Sequence, residues 1–130
     1  MNRTLVRALM TVAGLLAFST PMLAHHGSRV SYDLSKQITM KGVVTEYQYQ
    51  NPHIYIMYDV KDENGNVVHW GAETNSPVVQ ARFGWDRRTL KPGDEITVTL
   101  NPAKGGASRG YLAKLVTADG KVTELGRPEN

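Results

Sequence analysis

The 130-residue chain contains no cysteine. This excludes disulfide stapling, thiolate metal sites and a cysteine nucleophile. The chain also lacks an apolar run approaching the ~20 residues that a membrane-spanning helix needs. Its longest, Ala8 to Phe18, is interrupted by Thr11 and Gly14. Charge is not one-sided: 15 Lys and Arg face 12 Asp and Glu, and only Arg87-Arg88 are adjacent basic residues. A nucleic-acid binder would keep a clustered basic face, so no nucleic-acid partner is expected. No serine sits in a G-x-S-x-G elbow. Lys104-Gly105-Gly106 lacks the helix that a phosphate loop requires. The paired acids Asp62-Glu63 and Asp94-Glu95 belong to a turn and to the start of a strand. What is present, 41% hydrophobic and 21% charged residues, is the composition of one folded domain rather than a disordered tail.

Residues 1–24 read as an address. Arg3 and Arg7 form a positive n-region, an apolar stretch follows, and Ser19-Thr20-Pro21 break it before Ala24. That order defines a secretory signal peptide cut after Ala24, with delivery to the periplasm or beyond. Met22 stands where a small residue is usual. A membrane anchor is the competing reading, and the apolar run is about half the necessary length. Two arginines and no acid depart with the signal, so the formal charge falls from +3 by two. No stable membrane insertion is expected of the remainder.

Residues 25–36 show no period and are expected to form an extended arm. From Gln37 the pattern is that of β-strands. Ile38, Met40 and Val44 share one parity, while Val43, Tyr47 and Tyr49 share the other. This phase change near Gly42 predicts a bulge or bend there. Gln50-Asn51-Pro52 ends the strand, because proline cannot donate to a ladder. In the next strand, His53 to Val60, Ile54, Ile56, Tyr58 and Val60 alternate with His53, Tyr55, Met57 and Asp59. Asp62-Glu63-Asn64-Gly65 is a hairpin turn. A two-residue loop would set Asp59 against Trp70. A three-residue loop, with Gly65 left-handed, pairs Val60 with Val68, Tyr58 with Trp70 and Ile56 with Ala72. The second register sets apolar against apolar, and it also puts His69 opposite Asp59.

Ser76-Pro77 predicts a capped helix start, with the helix running to Phe83 and stopping at Gly84. Asp86 is expected to cap a further turn through Leu90. After the turn Lys91-Pro92-Gly93-Asp94 come a strand Glu95–Leu100, a loop Asn101–Gly110, a strand Tyr111–Thr117, a turn at Asp119-Gly120 and a short strand Lys121–Leu125. Residues 126–130 are expected to fray. Three strands, a short helix and two or three more strands are the order of a small five- to six-stranded OB-like Greek-key barrel, its helix between strands three and four. The domain is therefore expected over residues 37–125. A β-sandwich, the competing architecture, calls for about seven strands.

The candidate chemistry lies in the four histidines. Cleavage after Ala24 would make His25 the first residue, offering an α-amine and an imidazole together. The amine has an ordinary pKa near ~8 and can yield its proton to a metal. With His53 this makes a three-nitrogen set of the histidine-brace type, which suits Cu(II). His26 is an alternative ligand, and Met57, on the His53 face, a soft axial donor. Cleavage one residue earlier would leave Ala-His-His, a copper-binding tripeptide needing no fold. Each histidine also has a plainer reading: a solvated terminus, a ring satisfied by a neighbour, or, for His69 and Asp59, a cross-strand pair. Tyr47, Tyr49 and Tyr55 are expected to share the outer face of the first two strands, where such barrels hold ligands, or simply to pack across strands. Trp70, Trp85 and Phe83 read as core and helix-end packing.

The chain also resembles a family of small exported bacterial proteins, a domain of unknown function. The matching pieces are His25-His26-Gly27 after the signal, Met40-Lys41-Gly42-Val43-Val44, Asn51-Pro52-His53, Trp70 with Glu73, Ser76-Pro77, Gly84-Trp85 and Leu90-Lys91-Pro92-Gly93-Asp94. The resemblance implies a periplasmic OB-like or related barrel, with no activity, cofactor or catalytic residue attached. Together these features point to a non-enzymatic periplasmic binding protein, with copper as the candidate ligand. A metal-free module binding an envelope protein is the alternative. A copper-dependent oxidase is disfavoured by the short chain.

Overall fold

A computed structural model describes residues 31–125. The expected signal peptide, His25, His26 and the tail 126–130 lie outside the described residues. Six strands and one short helix follow in order: β1 (Ile38–Gln48), β2 (Tyr55–Lys61), β3 (Val67–Glu73), α1 (Pro77–Ala81), β4 (Glu95–Pro102), β5 (Arg109–Thr117) and β6 (Val122–Glu124). The strands form one sheet in the order β3-β2-β1-β4-β5-β6, and a parallel pairing of β3 with β5 closes the first five into a barrel. The helix stands between the third and fourth strands, and β6 is an addition on the outer edge of β5. This is the expected OB-like arrangement.

The β2–β3 hairpin adopts the register set by its apolar parity: Val60 faces Val68, Tyr58 faces Trp70, Ile56 faces Ala72 and Asp59 faces His69. Gly65 holds φ at 82°, in the left-handed region. Ile56, Tyr58 and Ala72 are fully buried, and they meet Val98, Leu100, Leu112 and Leu115 from β4 and β5 in the barrel interior. Period-two alternation therefore fixed which face both strands of this hairpin turn inward.

Several boundaries move. The predicted bulge lies not at Gly42 but between Val44 and Glu46, where the β1–β2 register slips. Gly42 instead pairs regularly with Ile96. The slip turns Tyr47 and Tyr49 inward, which explains the two parities in one strand. The helix ends at Ala81 rather than Phe83, and Ser76 makes no side-chain cap hydrogen bond. Phe83 is exposed, not packed, whereas Trp85 is buried and Trp70 half-buried. Asp86 does cap the expected turn, its carboxylate accepting from the Arg88 amide and its carbonyl from the Thr89 amide. The β4–β5 loop is shorter than expected because the strands extend to Pro102 and from Arg109. The peptide bond before Pro52 is cis.

The described part of the arm is also more ordered than its aperiodic sequence implies. Tyr32 is buried and bridges to Ala103, the Asp33 amide donates to the Pro102 carbonyl, and the Lys104 amide donates to that of Ser31.

Burial raises the phenols of Tyr32, Tyr47 and Tyr58 well above the ordinary tyrosine value; for Tyr32 the carboxylate of Glu73 adds to the rise. Such a group holds its proton more tightly folded than unfolded. Its contribution is intact below the unfolded pKa and is lost as pH rises past it. We expect the chain to unfold cooperatively in alkali above about pH 10. Tyrosinate absorbance should then rise in step with the loss of far-ultraviolet dichroism. A gradual titration of these tyrosines with the dichroism intact would contradict their burial.

Candidate functional site

On the outside of the β2–β3 hairpin, residues of one parity project together. Tyr55 is paired with Glu73, Met57 with Gly71 and Asp59 with His69. Cross-strand partners share a face, so these six form a continuous strip. The β3–β5 pairing extends it, bringing Arg109 beside Gly71.

Glu73 is the hub of this strip. Its Oε2 accepts from the Tyr32 hydroxyl at 2.5 Å, and its Oε1 lies 2.5 Å from Nδ1 of His53. The Glu73 side chain is only 14% exposed, against 35% for His53. One carboxylate thus ties the arm to the start of β2. His53 itself precedes the strand, but Ile54 next to it exchanges backbone bonds with Thr74 and Asn75, which anchors the position. The Tyr32 ring stacks at a tilt on Tyr111, 6.0 Å between centroids, and the Tyr111 hydroxyl donates to Asn75. The Tyr55 phenol is raised by burial first and then by its closeness to Glu73. At the other end of the strip, Nδ1 of His69 lies 2.5 Å from Asp59 Oδ1, with the imidazole largely in solvent. Between these ends is a groove of about 450 Å³ lined by Tyr32, Tyr55, Met57, His69, Gly71 and Arg109, among others.

Of the expected ligand-binding residues, Tyr55, Met57 and His69 line this one groove. Tyr47 and Tyr49 do not share its face, contrary to expectation. The register slip in β1 sends them inward, where Tyr47 meets Trp85 edge-on and the Tyr49 hydroxyl donates to the carbonyls of Pro77 and Trp85. Glu73, Tyr32, Gly71 and Arg109 were not singled out as site residues. Strand parity alone would have placed Glu73 on the His69 face. Nothing local in the sequence marks Tyr32.

Of the three histidines expected as metal ligands, the structure describes only His53. Among the described residues, no group of three or more His, Asp or Glu side chains is gathered closely enough to hold a metal ion. Nor is any helix among them long and apolar enough to cross a membrane.

The fold and this strip define a small OB-like barrel with a ligand-sized groove on its outer hairpin face. The chain belongs to a protein family of unknown function, DUF6152, whose model matches residues 12–114. No curated protein matches it. Among solved structures it is similar to the ZRD-deleted mutant of TiaS in complex with agmatine, at 19% identity and a TM-score of 0.44. The match covers 73% of this chain but only 23% of that one.

Proposed function

We propose that this protein is an exported, non-enzymatic binding protein for Cu(II), held between His53 and the processed N-terminus. His25 would supply its α-amine and imidazole, and His26 is the alternative donor. The observation that carries the reading is the His53–Glu73 pair. Metal-bound histidines characteristically give their second ring nitrogen to a carboxylate, which fixes the tautomer and aims the other nitrogen outward. With Nδ1 held by Glu73, Nε2 is the nitrogen left for a ligand.

A second feature supports it. Tyr32 hangs on the same carboxylate as His53, so the chain preceding Ser31 starts from the His53 end of the barrel. Ser31 lies six positions after His25, and an extended stretch of that length reaches about 20 Å. A brace spanning terminus and barrel is therefore sterically feasible. The donor set of amine and imidazole nitrogens suits a tetragonal cupric ion.

The experiment uses protein recovered from the periplasm without an affinity tag. Mass analysis is expected to show His25 first, and elemental analysis to find copper. On Cu(II) titration, His53→Ala should lose more affinity than the 10–100-fold typical of losing an outer-shell partner. Unchanged affinity in His53→Ala means that only the free terminus binds copper. The protein would then be a metal-free envelope module, and the proposal fails.

A further inference from the structure

Three glycines sit inside strands β1, β3 and β5, and they are not alike. A Cβ on Gly42 would lie 2.7 Å from the Asp59 carbonyl oxygen, and one on Gly110 would lie 2.7 Å from that of Asn101. At both, a neighbouring backbone demands the absence of a side chain. At Gly71 a Cβ would meet only the flexible Met57 thioether, at 3.3 Å, and the Arg109 Cβ, at 3.9 Å. Its φ is not positive either. Neither packing nor backbone conformation calls for glycine there. A glycine within a strand weakens it, and one recurrent reason for its presence is the close approach of a ligand to the backbone. Gly71 forms the floor of the groove, whose volume of about 450 Å³ lies in the range of small-molecule sites.

Of the charged groups around that floor, the carboxylates have hydrogen-bond partners and the guanidinium has no ion-pair partner among the described residues. Glu73 is engaged by Tyr32 and His53, and Asp59 by His69. Arg109 makes no ion pair among the described residues, and its guanidinium is near enough to the phenols of Tyr32 and Tyr55 to act on both. A planar fork of donors on a partly apolar wall is suited to a carboxylate or a similar oxyanion. We propose that this groove binds a small organic monoanion with a flat apolar body. The anionic group would rest on Arg109, and the body would lie over Gly71 between Tyr55 and Met57. This site needs no metal and does not depend on the copper reading.

The probe is anilinonaphthalene sulfonate, an aromatic monoanion that fluoresces when its body is shielded from water, titrated into the purified chain with a chelator present. One probe per chain is expected to bind. Benzoate should displace it at least about tenfold more effectively than the neutral benzyl alcohol, a gap the size of one modest charge-assisted contact. Arg109→Gln, an exposed change that leaves the barrel intact, should weaken binding by about tenfold or more. Gly71→Leu should fill the floor and abolish binding, with circular dichroism verifying its fold. Failure of the wild-type chain to bind, as when a second copy of the chain covers the groove, overturns the proposal. So does binding that both variants leave unchanged, or displacement indifferent to the competitor's charge.

Discussion

Replacing Glu73 by alanine is expected to destabilise the chain by about 2–4 kcal/mol, and to weaken copper binding if His53 is a ligand. The loss is large because two partners are orphaned at once. Tyr32 is buried and its hydroxyl donates to Oε2, and His53 is held by Oε1. A hydrogen bond to a carboxylate contributes about 1.5–3 kcal/mol, and a buried donor left unmade costs its own desolvation. For a domain of this size the melting temperature should fall on the order of 10–20 °C. Tyr32→Phe keeps the ring on Tyr111 and removes only one arm of the bridge, so about 1–2 kcal/mol is expected. Urea denaturation of both variants and their double mutant checks this: the double mutant should be less destabilised than the sum of the two. Strict additivity would mean that Tyr32 and Glu73 act separately.

The second large effect belongs to Gly42→Ala. In an exposed strand this change would help, because alanine loses less backbone entropy on folding than glycine. Here the added methyl would lie 2.7 Å from the Asp59 carbonyl oxygen and 2.7 Å from the Tyr58 ring. A carbonyl in the β1–β2 ladder cannot rotate away, and Tyr58 is fully buried. Steric cost therefore outweighs the entropic gain, and a loss of about 1–3 kcal/mol is expected, with more for valine. Its neighbour Val43 pairs with both Asp59 and Glu95, so opening the sheet here loosens β1 from two strands. Gly71→Ala is the control, expected within about 0.5 kcal/mol of wild type. Equal effects at the two positions in chemical denaturation would contradict the packing described for β1.

The hairpin from Ile56 to Ala72 was legible in the sequence, down to its pairing, because alternation with period two and an Asn-Gly turn are local signals. So were the helix start at Ser76-Pro77 and the order of elements that closes the barrel. The sequence also showed that β1 changes phase. It did not show that Gly42 and the bulge are separate features three residues apart, since a close approach and a bulge look alike in one dimension. Hence Tyr47 and Tyr49, counted on the outer face by parity, lie inward past the slip.

The site divides the same way. Local alternation by itself determined that His53, Tyr55, Met57 and His69 point away from the core. The hub was decided in three dimensions. Tyr32 lies 41 positions from Glu73 in a stretch without period, and Arg109 reaches Gly71 only through the parallel β3–β5 pairing. Contacts of such separation follow from barrel closure, where the summed burial of many apolar side chains sets which distant strands meet. No short window of sequence carries that information.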